Sequence, residues 1–186
     1  MSRFNERGWI QGLVVVLSLS LFAIAGASAQ TSASYGQQIA VAKSLKPGLT
    51  TLGVFGSNLS DKTIEQISRA AAGQGIKIVV AKPQDAGQVS SFYAKLVSEK
   101  KAELLWLPDA SDNMLLGIGF EFLRVKALAD KVGLIVPQEA LVASGGLCTI
   151  LLDGGKVRVI VNQKIAQMIG LSVPADNNES ITFVSR

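Results

Sequence analysis

The sequence contains no histidine and a single cysteine. Without histidine there is no Ser-His-Asp or Cys-His nucleophilic system, and a protein-built zinc site loses a principal ligand. A lone cysteine cannot form a disulfide within its own chain. Cys148 lies inside the apolar run Leu147–Leu152 and reads as a small buried hydrophobe, the other use being an intermolecular disulfide after export. Clustered charge is missing too. The formal balance of +4 comes from 18 basic and 14 acidic residues spread along the chain, which leaves no footprint for nucleic acid. No internal repeat, low-complexity tract or metal-ligand cluster stands out, and beyond its start the chain has no long apolar run.

That start is informative. Arg3 and Arg7 precede the almost wholly apolar stretch from Leu13 to Ala25, and Ala27-Ser28-Ala29 follows. This is the three-part pattern of a secretory signal peptide, with cleavage expected after Ala29. The apolar core falls short of the roughly 20 residues of a comfortable membrane span. No cysteine follows the cleavage point to carry a lipoprotein anchor. A soluble, exported, periplasmic chain is expected. Loss of Arg3, Arg7 and Glu6 takes the basic residues from 18 to 16 and the acidic ones from 14 to 13, leaving +3.

The rest is organised around Glu103-Leu104-Leu105-Trp106-Leu107-Pro108-Asp109. Alternation sends Leu104 and Trp106 to one face of a sheet and Leu105 and Leu107 to the other. Both faces are apolar, as in a central strand covered by helices on each side. Ligands in an open α/β sheet gather at the carboxyl ends of the strands, where Pro108 and Asp109 stand.

The flanking pattern fits. Small polar residues from Gln30 to Ser34 read as mobile. Ile39, Ala42 and Leu45 predict a short helix, stopped by Lys46-Pro47-Gly48. Thr51–Phe55 reads as a strand with a polar turn, Gly56-Ser57-Asn58, at its end. Ser60 or Asp61 can cap a helix whose inner face is Ile64, Ile67 and Ala71. Ile76–Ala81 is the next strand. Val89, Phe92, Tyr93, Leu96 and Val97 show clear helical spacing. Past the central strand, Asp112 or Asn113 can cap a helix with Leu115, Ile118, Phe122, Val125 and Ala129 inward, and with Gly117 and Gly119 packed close to the sheet. Leu134–Val136 reads as a fourth strand. The order βαβαβαβ with short links means a parallel sheet with right-handed crossovers. In the tail, Leu147–Leu152 and Val157–Val161 flank Asp153-Gly154-Gly155 as a hairpin. Asn162 can cap a last short helix carrying Ile165 and Ile169. Ile181–Val184 either adds an edge strand or frays.

The expected fold is thus α/β, a Rossmann-like three-layer sandwich with a mostly parallel sheet, a carboxyl-terminal β-hairpin and a short helix. The expected divisions are a signal peptide over 1–29, an amino-terminal tail and short helix over 30–48, a single α/β domain over 49–174, and a tail or edge strand over 175–186.

Neither glycine motif is a nucleotide site. Gly117-x-Gly119 lies within a helical pattern, and Asp153-Gly154-Gly155-Lys156 lies between two strands. The strand ends carry the candidate ligand-binding residues: Ser57, Asn58, Asp109, Asn113, Gln138 and Glu139. They offer donors and acceptors to a small polar molecule. Ser57, Asn58 and Asn113 serve equally well as helix caps or turn formers. Asp109 follows Pro108 directly on the central strand, which favours a ligand. Trp106 reads as core. An acid pair of Asp109 and Asp112 could serve proton transfer, but nothing else in the chain supports catalysis. No enzyme activity, no cofactor and no metal is expected.

Two families are similar to parts of this sequence. Leu45-Lys46-Pro47-Gly48, Gly75-Ile76-Lys77-Ile78, Leu105-Trp106-Leu107-Pro108-Asp109, Pro137-Gln138-Glu139-Ala140-Leu141-Val142 and the ending Val161-Asn162 to Gly170-Leu171-Ser172-Val173-Pro174 resemble a family of ABC-transporter substrate-binding proteins. That resemblance implies a ligand cleft between two lobes, of which this length holds one. A hairpin stands where the family continues with further helix and strand. The tail, Gly145-Gly146-Leu147 through Asp153-Gly154-Gly155-Lys156-Val157-Arg158-Val159 to Asn162, Ala166 and Gly170-Leu171, resembles the YfiR-like family of exported regulators. That resemblance implies contact with a membrane signalling protein such as a diguanylate cyclase. The expectation is a single-lobe binding protein that takes a small ligand, or serves an envelope transport or signalling partner. The alternative is a regulator acting by protein contact. A homodimer would be a further way to cover the open edge.

Overall fold

The computed structural model describes residues 31–173 and 181–185. The signal-peptide expectation for 1–29 and the polar stretch 174–180 lie outside them. Among the described residues eight strands form one sheet: β1 Thr31–Ser32, β2 Thr51–Phe55, β3 Lys77–Ala81, β4 Leu104–Trp106, β5 Gly133–Ile135, β6 Cys148–Asp153, β7 Lys156–Val161 and β8 Ile181–Ser185. The helices are α1 Tyr35–Leu45, α2 Asp61–Ala72, α3 Val89–Ala94, α4 Phe120–Ala129, α5 Glu139–Ala143 and α6 Gln163–Met168. The strand order is β3-β2-β4-β5-β6-β7-β8. Pairing is parallel from β3 through β5 to β6 and again between β7 and β8; β6 and β7 are antiparallel.

The alternation along β4 sorts the core into two layers. Leu104 and Trp106 pack with Leu52 and Val54 against Ile39 and Leu45 of α1, Ile67 of α2 and Ala166 of α6. Leu105 and Leu107 pack on the other side with Tyr93 of α3, Leu123 of α4 and Val142 of α5. The three-layer α/β fold follows directly. Gly53 shows how tight the middle is, since a Cβ there would stand 2.6 Å from Leu105 Cδ2. Among the described residues no helix is long and apolar enough to cross a membrane.

Local chemistry explains most boundaries. Ser34 and Gln37 form a capping box on α1. Ser60 caps α2, with its side chain accepting from Thr63 N. In the β6–β7 hairpin, Gly154 and Gly155 take φ of 55° and 81° between the paired Asp153 and Lys156. Those are the angles of the two-residue turn whose twist matches the strands. Ile181–Ser185 adds the edge strand beside β7.

Four expectations are corrected. Thr31 and Ser32 do not move freely: they pair antiparallel with Leu152 and Leu151 of β6. α5 was not visible in the sequence, because five residues are too few to show a helical period. The inner face of the helix after β4 is Leu115, Phe120, Leu123 and Ala127 with Phe122 packed against it, so Leu115 and Phe122 lie inward as expected, while Ile118 and Val125 are 77% and 59% exposed. Within Leu115–Gly119 two helical pieces meet at a kink. That kink breaks the regular period of about 3.6 residues that would turn Ile118 and Val125 inward. Last, Gly117 packs on nothing: a Cβ there would meet open space, and its φ of −97° and ψ of −111° interrupt the helix. Gly119 is tight, but against Met114 O at 3.0 Å rather than against the sheet.

Candidate functional site

The carboxyl ends of β2, β4 and β5 form one edge of the molecule, and Asp112 organises it. This carboxylate is only 2% exposed. Its Oδ2 accepts from both Ser57 N and Ser57 Oγ at 2.7 Å, and its Oδ1 accepts from Leu115 N at 3.1 Å. One side chain therefore ties the turn after β2 to the start of the helix after β4. Of the two proposed caps, Asp112 makes the bond. Asn113 is exposed, with its backbone N–H on Ser111 O at 2.9 Å.

Asp109 holds its own loop. Its Oδ1 accepts from Ser111 N at 2.8 Å and Ser111 Oγ at 2.6 Å. It also lines a pocket of about 150 Å³, together with Tyr35, Asn58, Leu59, Thr63 and Pro108. The structure thus brings Asn58 and Asp109 together. Ser57 is engaged by Asp112 outside this lining. Gln138 lies beyond it as well, with Nε2 donating to Ala110 O at 3.2 Å and linking the end of β5 to the β4 loop. Glu139 opens α5 and is half-buried.

Tyr35 was not a sequence candidate. It reaches the pocket because α1 is fastened over β4. Its ring meets Trp106 edge-on, with centroids 5.9 Å apart. Trp106 is core, as read from the sequence, and its Nε1 donates to Gln38 Oε1 at 3.1 Å while Gln38 Nε2 donates to Ala33 O at 2.7 Å. That relay gives the buried Trp106 N–H and the Gln38 side-chain amide their partners. No sequence signal pointed to Tyr35, since only the packing of α1 brings it near β2 and β4.

The pocket offers an amide, a carboxylate, two hydroxyls and an aromatic wall. It can hydrogen-bond a small polar group. The thiol of Cys148 is fully buried in β6, where burial pushes its pKa up to about 12. Tyr93 lies on the far side of the sheet. Burial raises its phenol well above the ordinary value, and the hydrogen bond and charge of Asp130 raise it further. Among the described residues no group of His, Cys, Asp and Glu is placed to hold a metal.

No family model and no curated protein sequence matches the chain. Solved structures do. An ABC domain in complex with L-Trp from Streptococcus pneumoniae aligns with a TM-score of 0.67 at 21% identity, covering 81% of this chain and 61% of that one. A conserved domain protein from Vibrio cholerae O1 biovar El Tor gives 0.66 at 19%, covering 83% and 61%. The ligand-free, open structure of a substrate binding protein with adhesive properties from Clostridium difficile gives 0.65 at 19%, covering 82% and 60%. These likenesses establish the fold. The chain spans about three fifths of the length of each of these proteins.

Proposed function

We propose that this is an exported binding lobe that takes a small polar molecule at the carboxyl ends of β2 and β4, and that it works with a second surface over that edge. The observation that carries the reading is the pocket itself. It lies at the strand ends where an open α/β sheet collects ligands, and Asn58, Asp109 and Tyr35 converge on it. At about 150 Å³ it is half the size of the smallest pockets that enclose a drug-sized ligand, roughly 300 Å³. A hinged binding protein completes its enclosure by closing a second lobe. This chain covers about three fifths of the solved structures it resembles, and the reading takes the described residues as one such lobe. The same reasoning favours binding over catalysis.

The test is calorimetry on the protein purified from the cell envelope, titrated with free amino acids and other small polar metabolites, with sedimentation to fix its state. Weak binding that tightens when a co-purified partner is added supports the proposal. Submicromolar binding to a strict monomer overturns the need for cover. Intact mass decides export separately: a species retaining residues 1–29 refutes cleavage. The regulator reading draws on the resemblance of the β6–β7 hairpin region. Affinity capture separates the two, since a permease and ATPase support transport, and a cyclase or sensor kinase supports regulation.

A further inference from the structure

Charges scattered through the sequence gather at the opposite edge of the sheet. Five helices end in the same way, with a residue at positive φ and the next N–H reaching back into the last turn: Ile76 to Ala71 at 3.0 Å, Ala102 to Leu96 at 2.9 Å, Val132 to Ala127 at 2.7 Å, Gly146 to Leu141 at 2.8 Å and Leu171 to Ala166 at 2.8 Å. Glycine normally fills the positive-φ position, because it has no Cβ to clash. Gly75, Gly145 and Gly170 do so here, but the other two positions are Lys101 at φ 58° and Lys131 at φ 56°. Side chains with a Cβ are disfavoured there, and lysine lacks the local hydrogen bonds that excuse Asn or Asp. What lysine adds is charge.

These two lysines stand before neighbouring strands, β4 and β5. Lys100 is exposed beside them, and Lys77 is exposed at the start of β3. With strands about 4.8 Å apart, the starts of β3, β2, β4 and β5 lie side by side within about 15 Å. Among the described residues none of the four ammonium groups has an ion pair. The acids at this end are mostly engaged: Glu103 with Thr50 and Lys46, Asp130 with Tyr93 and Lys126, leaving Glu99.

We propose that this edge docks on an anionic phospholipid surface. The lysines come from three separate connections, so they form a spread of hydrated point charges on flexible stems rather than a rigid grip on one anion. Such a spread suits mobile headgroups. For its compartment the proposal takes the exported reading, in which lipid is the polyanion at hand; the pocket's ligand plays no part. Docked so, the molecule presents the Asn58–Asp109 pocket away from the lipid.

The experiment is co-sedimentation of the envelope-purified protein with vesicles of phosphatidylglycerol and phosphatidylcholine, against phosphatidylcholine alone, at low and physiological salt. Binding is expected to the anionic vesicles only and to fall with salt. Each lysine near such a surface is worth about fivefold, so Lys101→Gly with Lys131→Gly is expected to weaken binding about 25-fold. The same double variant is expected to melt higher than the parent, which separates lost charge from lost fold. Unchanged vesicle binding by that variant overturns the proposal. So does equal binding to neutral vesicles, or tighter binding to duplex DNA at the same salt. Intact mass tests the exported reading independently.

Discussion

The two ends of the β2–β4 pair are held by the same device, used to different purpose. At the amino end, Glu103 Oε1 accepts from Thr50 N at 2.8 Å and Thr50 Oγ1 at 2.7 Å. At the carboxyl end, Asp112 Oδ2 takes the N–H and hydroxyl of Ser57 at 2.7 Å each. Each carboxylate seizes a donor pair from one residue across the neighbouring strand. The surroundings differ. Glu103 is partly solvated and shares its charge with Lys46 at 3.5 Å, whereas Asp112 is buried and caps a helix as well. A clamp at the amino end only joins strands. One at the carboxyl end also shapes the loops that carry Asn58 and Asp109, and it occupies the N–H and hydroxyl of Ser57.

The comparison breaks most visibly at Asp112. Asp112→Ala leaves the N–H groups of Ser57 and Leu115 without their acceptor, with an expected loss of about 2–4 kcal/mol in urea unfolding. A loss under about 1 kcal/mol would show that water replaces the clamp easily. Glu103→Ala is expected to cost less, about 1–2 kcal/mol, because solvent reaches the freed donors. It should leave ligand binding per folded molecule unchanged; a drop in binding would tie the two ends together.

The acid limb sharpens the contrast. Burial pulls the pKa of Glu103 upward, but the hydrogen bonds from Thr50 and Thr51 and the charge of Lys46 outweigh it, so the folded value lies below the ordinary 4.5. The unfolded chain therefore binds the proton first as pH falls. The stabilisation is complete above the ordinary value and is lost as pH drops through the folded one. Glu103→Gln is expected to flatten that part of the stability curve, measured by urea midpoints between pH 3 and 6 (roughly the carboxylate range). A curve as steep as the parent's would assign the slope to other acids.

Asp109→Ala has the smallest expected effect on folding, under about 0.5 kcal/mol, since its bonds to Ser111 are solvent-exposed and local. Ligand binding should weaken nonetheless. Ready unfolding with binding intact would make Asp109 a structural residue.

Much of this architecture was legible because β4 alternates two apolar faces and each parallel strand meets a proline or polar turn. The strand-end rule drew attention to Asn58 and Asp109, which the structure places in one pocket. What escaped was non-local. Nothing near Ser57 in the sequence announces an acceptor 55 residues away. Tyr35 becomes a pocket wall only once Trp106 and Gln38 seat α1. The kink at Gly117 hides because an isolated glycine inside a helical pattern is ordinarily tolerated.

The pairing of β1 with β6 governs the order in which this sheet can be completed. Thr31 and Ser32 precede every other described element, yet their partners Leu152 and Leu151 lie roughly 120 residues further along the chain. β6 meets β5 through Ile135 and Cys148 at one end, and β1 fills the same flank at the other. Until the carboxyl-terminal third emerges, the first strand has nowhere to sit. The sheet is therefore completed late, once β6 is in place and the first strand can pair with it.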